Sequence, residues 1–292
     1  MPGNMTGTAC GSSISVSTTT CETMIPNPLM SFVVLTWNSS GTILACIRSI
    51  RNVCDREGIA CEIIVVDNGS HDGTPEAIKR AFGHDAPLRL IELAENRGTT
   101  LSRNLALKDV HGSTICVMDS DAEIIGGRLS DISAMLEDRS VGIVAPRLVL
   151  PDGTIQRSVK RYPSALGKLM KIPQIIFRLR PIDLDAYSDF PFREQRDVDT
   201  AISACWFLRK ELLDDVGYLD ERIFYSPEDI DYCIRVRKQG KRIVYDPHFH
   251  VLHHTQQITH RNVISRHAIS HFMGLVYLFR KHRYITAPRI GR

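Results

Sequence analysis

What the sequence lacks narrows its function first. No apolar run reaches the ~18 residues that a membrane-spanning helix needs. The eight cysteines include no Cys-x-x-Cys pair and no framework-like spacing, which speaks against a zinc finger or a disulfide scaffold. Cys46, Cys61, Cys116, Cys205 and Cys233 sit instead in apolar or periodic segments and read as buried free thiols, which suits a reducing compartment. The first residues lack both the basic start and the apolar core of a secretory leader, so a cytoplasmic location is expected. Neither charge sign dominates: 36 Lys and Arg stand against 33 Asp and Glu, and nothing argues for nucleic acid as a partner. No Gly-x-Gly-x-x-Gly follows the first predicted strand, which disfavours a nicotinamide-binding fold.

What is present is a regular alternation. Residues 1–28 are rich in Ser, Thr and Gly without a period, and a disordered arm is expected there. "LMSFVVLTWN" (29–38) is a buried strand. A helix follows, with Ile43, Ile47, Ile50 and Cys54 at helical spacing, Ser39 or Ser40 as a cap and Gly58 as its end. "CEIIVV" (61–66), "LRLIEL" (88–93) and "TICVM" (114–118) are further strands. Helices between them start near Pro75 and after Gly98. Near-continuous apolar strands alternating with helices predict an α/β fold with a mostly parallel central sheet flanked by helices. Ligands bind at the carboxyl ends of such strands. The polar residues Thr36–Asn38, Asp67–Asn68, Glu95–Gly98 and Asp119–Asp121 all fall there.

From about 147 the pattern changes: a hairpin around "PDG", an irregular stretch over 160–200, a strand in "AISACWFLRK", helices in "ELLDDVG" and "SPEDIDYCIRVRKQG", and a strand in "KRIVYD". A C-terminal amphipathic helix and basic tail close the chain. The expected division is an arm (1–28), a first half (29–146), a second half (147–258) and the tail (259–292).

In "STICVMDSDAEI" an apolar strand runs directly into Asp119 and Asp121. Carboxylates this close repel, and a divalent cation removes the conflict. Mg²⁺ or Mn²⁺ prefers oxygen ligands, often one or two carboxylates plus phosphate oxygens. A solvated acidic loop is the plain alternative, because so short a motif recurs by chance.

The segments "TWNSS", "VVDNGSHDGT", "NRGTTLSRN", "MDSD" and "GYLDERIFYSPEDIDYCIRVRKQGKRIVYDP…HH" occur in this order. Together, over roughly residues 30–282, they resemble the inverting family 2 glycosyltransferases with the GT-A (nucleotide-diphospho-sugar transferase) fold, most of all the rhamnosyltransferase-like branch. The resemblance implies Mn²⁺ or Mg²⁺ at Asp119 and Asp121, with His253 completing the shell and His250 and His254 as alternatives. It implies a donor pocket in which Asp67 accepts hydrogen bonds from the base, Thr36, Trp37 and Asn38 line base and ribose, and Asn68 lies in the adjoining turn. The turn at Asp67–Gly69 needs no ligand in the plain reading. Asn96, Arg97 and Gly98 open a helix that carries Arg103, and a helix start beside a guanidinium suits a phosphate. A surface ion pair is the alternative for Arg103. Ser120 counts with the donor site, and Trp206 with the sugar and acceptor pocket or else with the core.

In "SPEDIDYCIR", Ser226 can cap a helix whose first turn holds Glu228 and Asp229. Acidic residues there also simply complement the helix dipole. The resemblance makes Asp229 the general base, with Glu228 second, kept ionised by the helix start. Asp231 with Arg235 is an i,i+4 pair and reads as structural. Two departures from the family pattern stand out: Trp37-Asn38 where Tyr-Asn is common, and Ser120 where Asn or Asp often precedes the final aspartate.

The implied partners are a nucleoside-diphosphate sugar donor (dTDP-rhamnose or a UDP-sugar) and a glycan, glycolipid or small-molecule hydroxyl acceptor. Apolar residues beside Arg280, Lys281 and Arg283 suit either packing or peripheral contact with an anionic membrane, at the inner face of the plasma membrane. Two other readings remain open from sequence. One is a non-catalytic sugar-nucleotide-binding module. The other is a haloacid-dehalogenase-like phosphohydrolase, disfavoured because its motif lies on the chain's first strand.

Overall fold

The structure is a computed structural model that describes residues 16–19, 30–83, 87–168, 185–187, 190–255 and 266–284. Twelve strands are described: β1 (Val16–Thr19), β2 (Met30–Thr36), β3 (Cys61–Asp67), β4 (Leu88–Leu93), β5 (Thr114–Asp119), β6 (Ala122–Gly126), β7 (Val141–Val149), β8 (Val159–Lys160), β9 (Arg196–Asp197), β10 (Thr200–Ala201), β11 (Cys205–Arg209) and β12 (Arg242–His253). The helices are α1 (Ile43–Glu57), α2 (Thr74–Phe82), α3 (Thr99–Leu107), α4 (Leu129–Glu137), α5 (Glu211–Val216), α6 (Glu228–Lys238) and α7 (Arg266–His282).

One sheet runs in the order β1-β4-β3-β2-β5-β11-β7-β12-β6, with β9 beside β12. The stretch β4-β3-β2-β5 is parallel, as the alternation with helices predicts. Beyond β5 the sheet is mixed: β11 runs antiparallel to β5 and β7, β12 is parallel to β7, and β6 is antiparallel to β12. The boundary drawn at 146/147 falls inside β7, so both halves of the chain build the same sheet. Part of the expected disordered arm, Val16–Thr19, forms an antiparallel edge strand on β4. The remaining residues up to 29 lie outside the described ones.

Strand alternation sorts side chains onto two faces. Phe32, Val34, Cys116, Met118, Cys205 and Phe207 meet Ile43, Ile47, Ile50 and Ile132 of α1 and α4 on one face. Val33, Ile115, Val117, Trp206 and Leu208 meet Ala106, Leu107, Tyr232 and Val236 of α3 and α6 on the other. Both faces are covered, which is why the strands read as near-continuous apolar runs. Cys46, Cys54, Cys61, Cys116, Cys205 and Cys233 are buried free thiols.

Helix ends differ from expectation in two places. Neither Ser39 nor Ser40 caps α1 through its side chain; Thr42 holds the cap position and the Ser39 carbonyl accepts from the Thr42 and Ile43 amides. Ser226 does not cap α6 either, because Pro227 takes that position and the Ser226 hydroxyl shares a hydrogen bond with His271 Nδ1 at 3.0 Å. Gly58 closes α1 in the left-handed conformation, as read from sequence.

The terminal helix α7 packs Leu275 and Leu278 against Ile234 and Tyr162. Gly274 lets it come close: a Cβ there would lie 2.2 Å from the Ser226 carbonyl oxygen. Lys281 and His282 bond to the buried Asp231 at 2.6 and 2.8 Å, and Tyr277 and Lys281 to Asp220 at 2.7 Å each. Among the described residues, no helix is long and apolar enough to cross a membrane.

Candidate active site

Parallel register sets the site. Thr36 at the end of β2 lies opposite Asp67 at the end of β3, and Leu35 lies opposite Asp119 at the end of β5. Asp119, Asp67 and the loops beyond them therefore share the carboxyl edge of the sheet. Antiparallel pairing of β6 with β12 then sets His253 opposite Ala122. Asp121, one residue earlier, is within 3.4 Å of His253 Nε2 through its Oδ1.

The donor atoms of Asp119, Asp121 and His253 all lie within 4.8 Å of one another. Of the three histidines of the β12 end, His253 is the one that joins this cluster. His250 faces Pro247 and Arg147, and His254 donates to Glu123 Oε1 at 2.6 Å. His253 Nδ1 donates to Gln156 Oε1 at 2.7 Å, which turns Nε2 toward the aspartates. Two carboxylates and one oriented imidazole form a donor set that fits a hard or borderline divalent cation such as Mn²⁺ or Mg²⁺. Burial pushes the Asp119 carboxyl up and Asp121 adds to this, against Arg103 and His253. Burial also disfavours the charged His253 ring, but Asp121 and Asp119 prevail and raise it.

The second acidic group enters on α6. Glu228 is 7% exposed, accepts from Ser203 Oγ at 2.9 Å and pairs with Arg103 Nη1 at 3.4 Å. Burial and the neighbouring Asp229 push its carboxyl up to about 8, partly offset by Arg103 and Ser203. Asp229 is half-buried, and its Oδ1 accepts the Ile230 amide at 2.8 Å. Its carboxyl is also raised, chiefly by burial, against the Ile230 bond and the Arg103 charge. Desolvation thus outweighs the helix start in setting the direction of this shift. Between the two, Glu228 is enclosed by partners and Asp229 is the more open carboxylate.

The remaining predicted residues divide by what they touch. Asp67 is buried and accepts from the Ser70 amide and hydroxyl at 2.9 and 2.6 Å; burial foremost raises its carboxyl. Thr36 is buried with no partner for its hydroxyl among the described residues. Trp37 is half-buried beside it. Asn38, at φ 49°, ties its loop to the next one, donating to Ser70 Oγ and accepting the His71 amide at 2.8 Å each. Asn68 works inside the protein: its Oδ1 accepts from the Arg97 amide and Ser102 Oγ, and its Nδ2 donates to Asn96. Asn96 also caps the Gly98 amide. Arg97 pairs with Glu95 at 3.3 Å. Ser120 donates to Ser39 Oγ at 2.8 Å.

Gly98, at φ 85°, has Phe224 against it, and a Cβ there would lie 2.3 Å from the Phe224 carbonyl oxygen. Two calls move. Arg103 is neither a surface ion pair nor open to a phosphate: it is 1% exposed and engaged by Asp119, Ser203 and Glu228. Trp206 is also 1% exposed, stacked on Tyr232 with ring centroids 6.0 Å apart, and belongs to the core rather than the pocket.

Residues that sequence reasoning missed are Ser203, Gln156 and Tyr225. Ser203 reaches the site because β11 pairs antiparallel with β5, a register no motif announces. Gln156 arrives on the return arm of the hairpin, whose turn the "PDG" signal did mark. Tyr225 stands near enough to Asp119, Glu228 and Asp121 that burial and these charges push its phenol up to about 12.

An α/β sheet with an acidic corner at the carboxyl ends of its parallel strands, and a second acidic pair on a helix beside it, defines a GT-A type transferase. The comparisons agree. The sequence model described as Glycosyl transferase family 2 matches residues 31–217, more than half of the chain. The N-acetylglucosaminyl-diphospho-decaprenol L-rhamnosyltransferase of Mycobacterium tuberculosis is 29% identical over 236 residues, covering 75% of each chain. GalNAc-T7, solved with UDP, GalNAc and Mn²⁺, superposes with a TM-score of 0.65 at 14% identity, over 88% of this chain and 48% of that one. The mannosyltransferase PcManGT from Pyrobaculum calidifontis, in complex with GDP-Man and Mn²⁺, gives 0.57 at 22% identity, over 90% of this chain and 67% of that one. The chain belongs to glycosyl transferase family 2 and has the GT-A fold. The phosphohydrolase alternative is thereby set aside.

Proposed function

We propose that the protein is a metal-dependent, inverting glycosyltransferase that moves a sugar, rhamnose or another hexose, from a dTDP- or UDP-linked donor to a hydroxyl of a glycan or glycolipid acceptor in cell-surface polysaccharide or glycolipid synthesis. One observation carries this reading: Asp119, Asp121 and His253 converge at the sheet edge, and Arg103 ties Asp119 to Glu228, the residue before Asp229. Mn²⁺ or Mg²⁺, held by these three, would neutralise the diphosphate leaving group. Asp229 takes the proton of the acceptor hydroxyl while its oxygen attacks the anomeric carbon from the face opposite the diphosphate. The carbon–oxygen bond to the diphosphate breaks, its electron pair leaves with the nucleotide, and the sugar inverts. Thr36, Trp37 and Asp67, gathered at the ends of β2 and β3, are the residues this reading assigns to the base and ribose.

The Mycobacterium tuberculosis relative names a lipid-diphosphate acceptor, and a lipid-linked acceptor is proposed here too. The outer face of α7 supports it. Phe272, Met273 and Val276 are 55, 60 and 39% exposed, with Arg280 and Arg283 exposed at the same end. Such a face suits an anionic lipid surface on the cytoplasmic side.

The experiment that tests the catalytic assignment is transfer from a nucleotide-sugar panel by wild type and Asp229→Asn. We expect kcat to fall about 10²–10⁴-fold with donor binding retained. Undiminished turnover in the variant would remove Asp229 as the base.

A further inference from the structure

We propose that Arg103 is a positioning residue, a buried guanidinium that couples the metal corner to the helix carrying the base and fixes their separation. This rests on the glycosyltransferase reading above and assigns a further residue to the same site. Nη2 of Arg103 bonds Asp119 Oδ1 and the Ser203 carbonyl, the latter at 3.2 Å. Nη1 donates to Ser203 Oγ at 2.8 Å and pairs with Glu228 Oε1 at 3.4 Å. The Ser203 hydroxyl in turn donates to the same Glu228 oxygen at 2.9 Å. One planar cation thus joins three pieces of chain distant in sequence: the end of β5, the loop before β11 and the first turn of α6.

The need for such a tie follows from charge. Asp119, Asp121, Glu228 and Asp229 bring four carboxyl groups to one region, and each that ionises there is desolvated and repelled by any other that does. Arg103 contacts an acidic residue on each side of that cleft. Its rigid fork fixes direction as well as charge, which a lysine ammonium cannot do. Each Nη already has two protein partners and Nε, without one, is buried, so the Nη fork is spent on the protein rather than offered to a phosphate. A carboxylate oriented from behind in this way binds a metal more tightly than a free one. Displacement of a reacting group by about 1 Å costs about 10²-fold in rate.

Arg103→Lys keeps the charge and loses the fork. The expected result is a fall in kcat of about 100-fold with donor KM changed less than threefold. Manganese alone, titrated through its paramagnetic resonance signal, should bind about 10-fold more weakly. Ser203→Ala, which removes the hydroxyl link, should shift both readouts the same way and serves if Arg103→Lys does not fold. Glu228→Gln keeps an acceptor for Arg103 and Ser203, and should be at least ten times as active as Glu228→Ala.

A donor KM raised tenfold with kcat intact would make Arg103 a donor ligand and overturn the proposal. So would a folded Arg103→Lys enzyme with unchanged kcat and manganese affinity, or a Glu228→Gln enzyme as impaired as Glu228→Ala. Wild-type protein that binds no manganese and transfers no sugar would instead overturn the functional reading, which the variant comparisons keep distinct.

Discussion

At the scale of single residues, desolvation sets the character of the site. Glu228 holds its proton to about pH 8 when folded, against an ordinary value of 4.5. Below 4.5 both folded and unfolded chains are protonated there, and nothing is lost. Between these values the folded chain binds the extra proton, so this group makes stability fall as pH rises. Glu228→Gln abolishes the titration. The melting temperature of the variant relative to wild type is therefore expected to rise from pH 5 to pH 8 in scanning calorimetry; a constant difference across that window would refute the assignment. Which residues the sequence motifs bring together was partly legible, since Asp119, Asp121 and His253 form one cluster. Their partners were not. Arg103 read as a phosphate ligand or a surface ion pair, and Trp206 as a pocket wall or a core residue, because burial depends on which strand lies next, and β11 beside β5 is a long-range pairing.

At the scale of elements, the loops after β3 and β4 are built as one unit. Asn68 satisfies the Arg97 amide and the Ser102 hydroxyl through one oxygen, and reaches Asn96 through its nitrogen. Asn68→Ala leaves two donors without that acceptor, and a cost of about 1–3 kcal/mol is expected from equilibrium urea unfolding. An unchanged midpoint and slope would show that the two loops stand independently. The elements themselves were readable because both sheet faces are covered and the strands are plainly apolar. Caps were less readable. Serines near a helix start signal a cap, yet Ser39 and Ser226 spend their hydroxyls elsewhere, on the Trp37 carbonyl and on His271. The parallel half of the sheet followed from strand–helix alternation. The mixed half did not, because β6 and β12 pair across more than a hundred residues with no turn signal between them.

At the scale of the whole molecule, α7 is amphipathic in an unusual sense. Its inner face carries the ionic fastenings, Lys281 and His282 on Asp231, beside Leu275 and Leu278. Its outer face carries Phe272, Met273 and Val276. Gly274 rests on Ser226, two residues from Glu228, so the proposed lipid-facing helix packs directly on the start of α6. Replacing Phe272, Met273 and Val276 together by Ser should reduce sedimentation with phosphatidylglycerol vesicles at least tenfold while leaving hydrolysis of a soluble donor unchanged. Equal sedimentation would place the membrane contact elsewhere or nowhere.

The central claim is that the aspartate pair with His253 grips a divalent cation that clamps a nucleoside diphosphate. Thermal unfolding with UDP, dTDP and GDP, each with and without Mn²⁺, measures it most directly. A ligand at a hundred times its dissociation constant adds about 2.7 kcal/mol of stability. We predict that at least one nucleotide raises the melting temperature of wild type only when Mn²⁺ is present, and that Asp121→Ala loses this increment. A manganese-independent increment, or one that survives in Asp121→Ala, would contradict the claim.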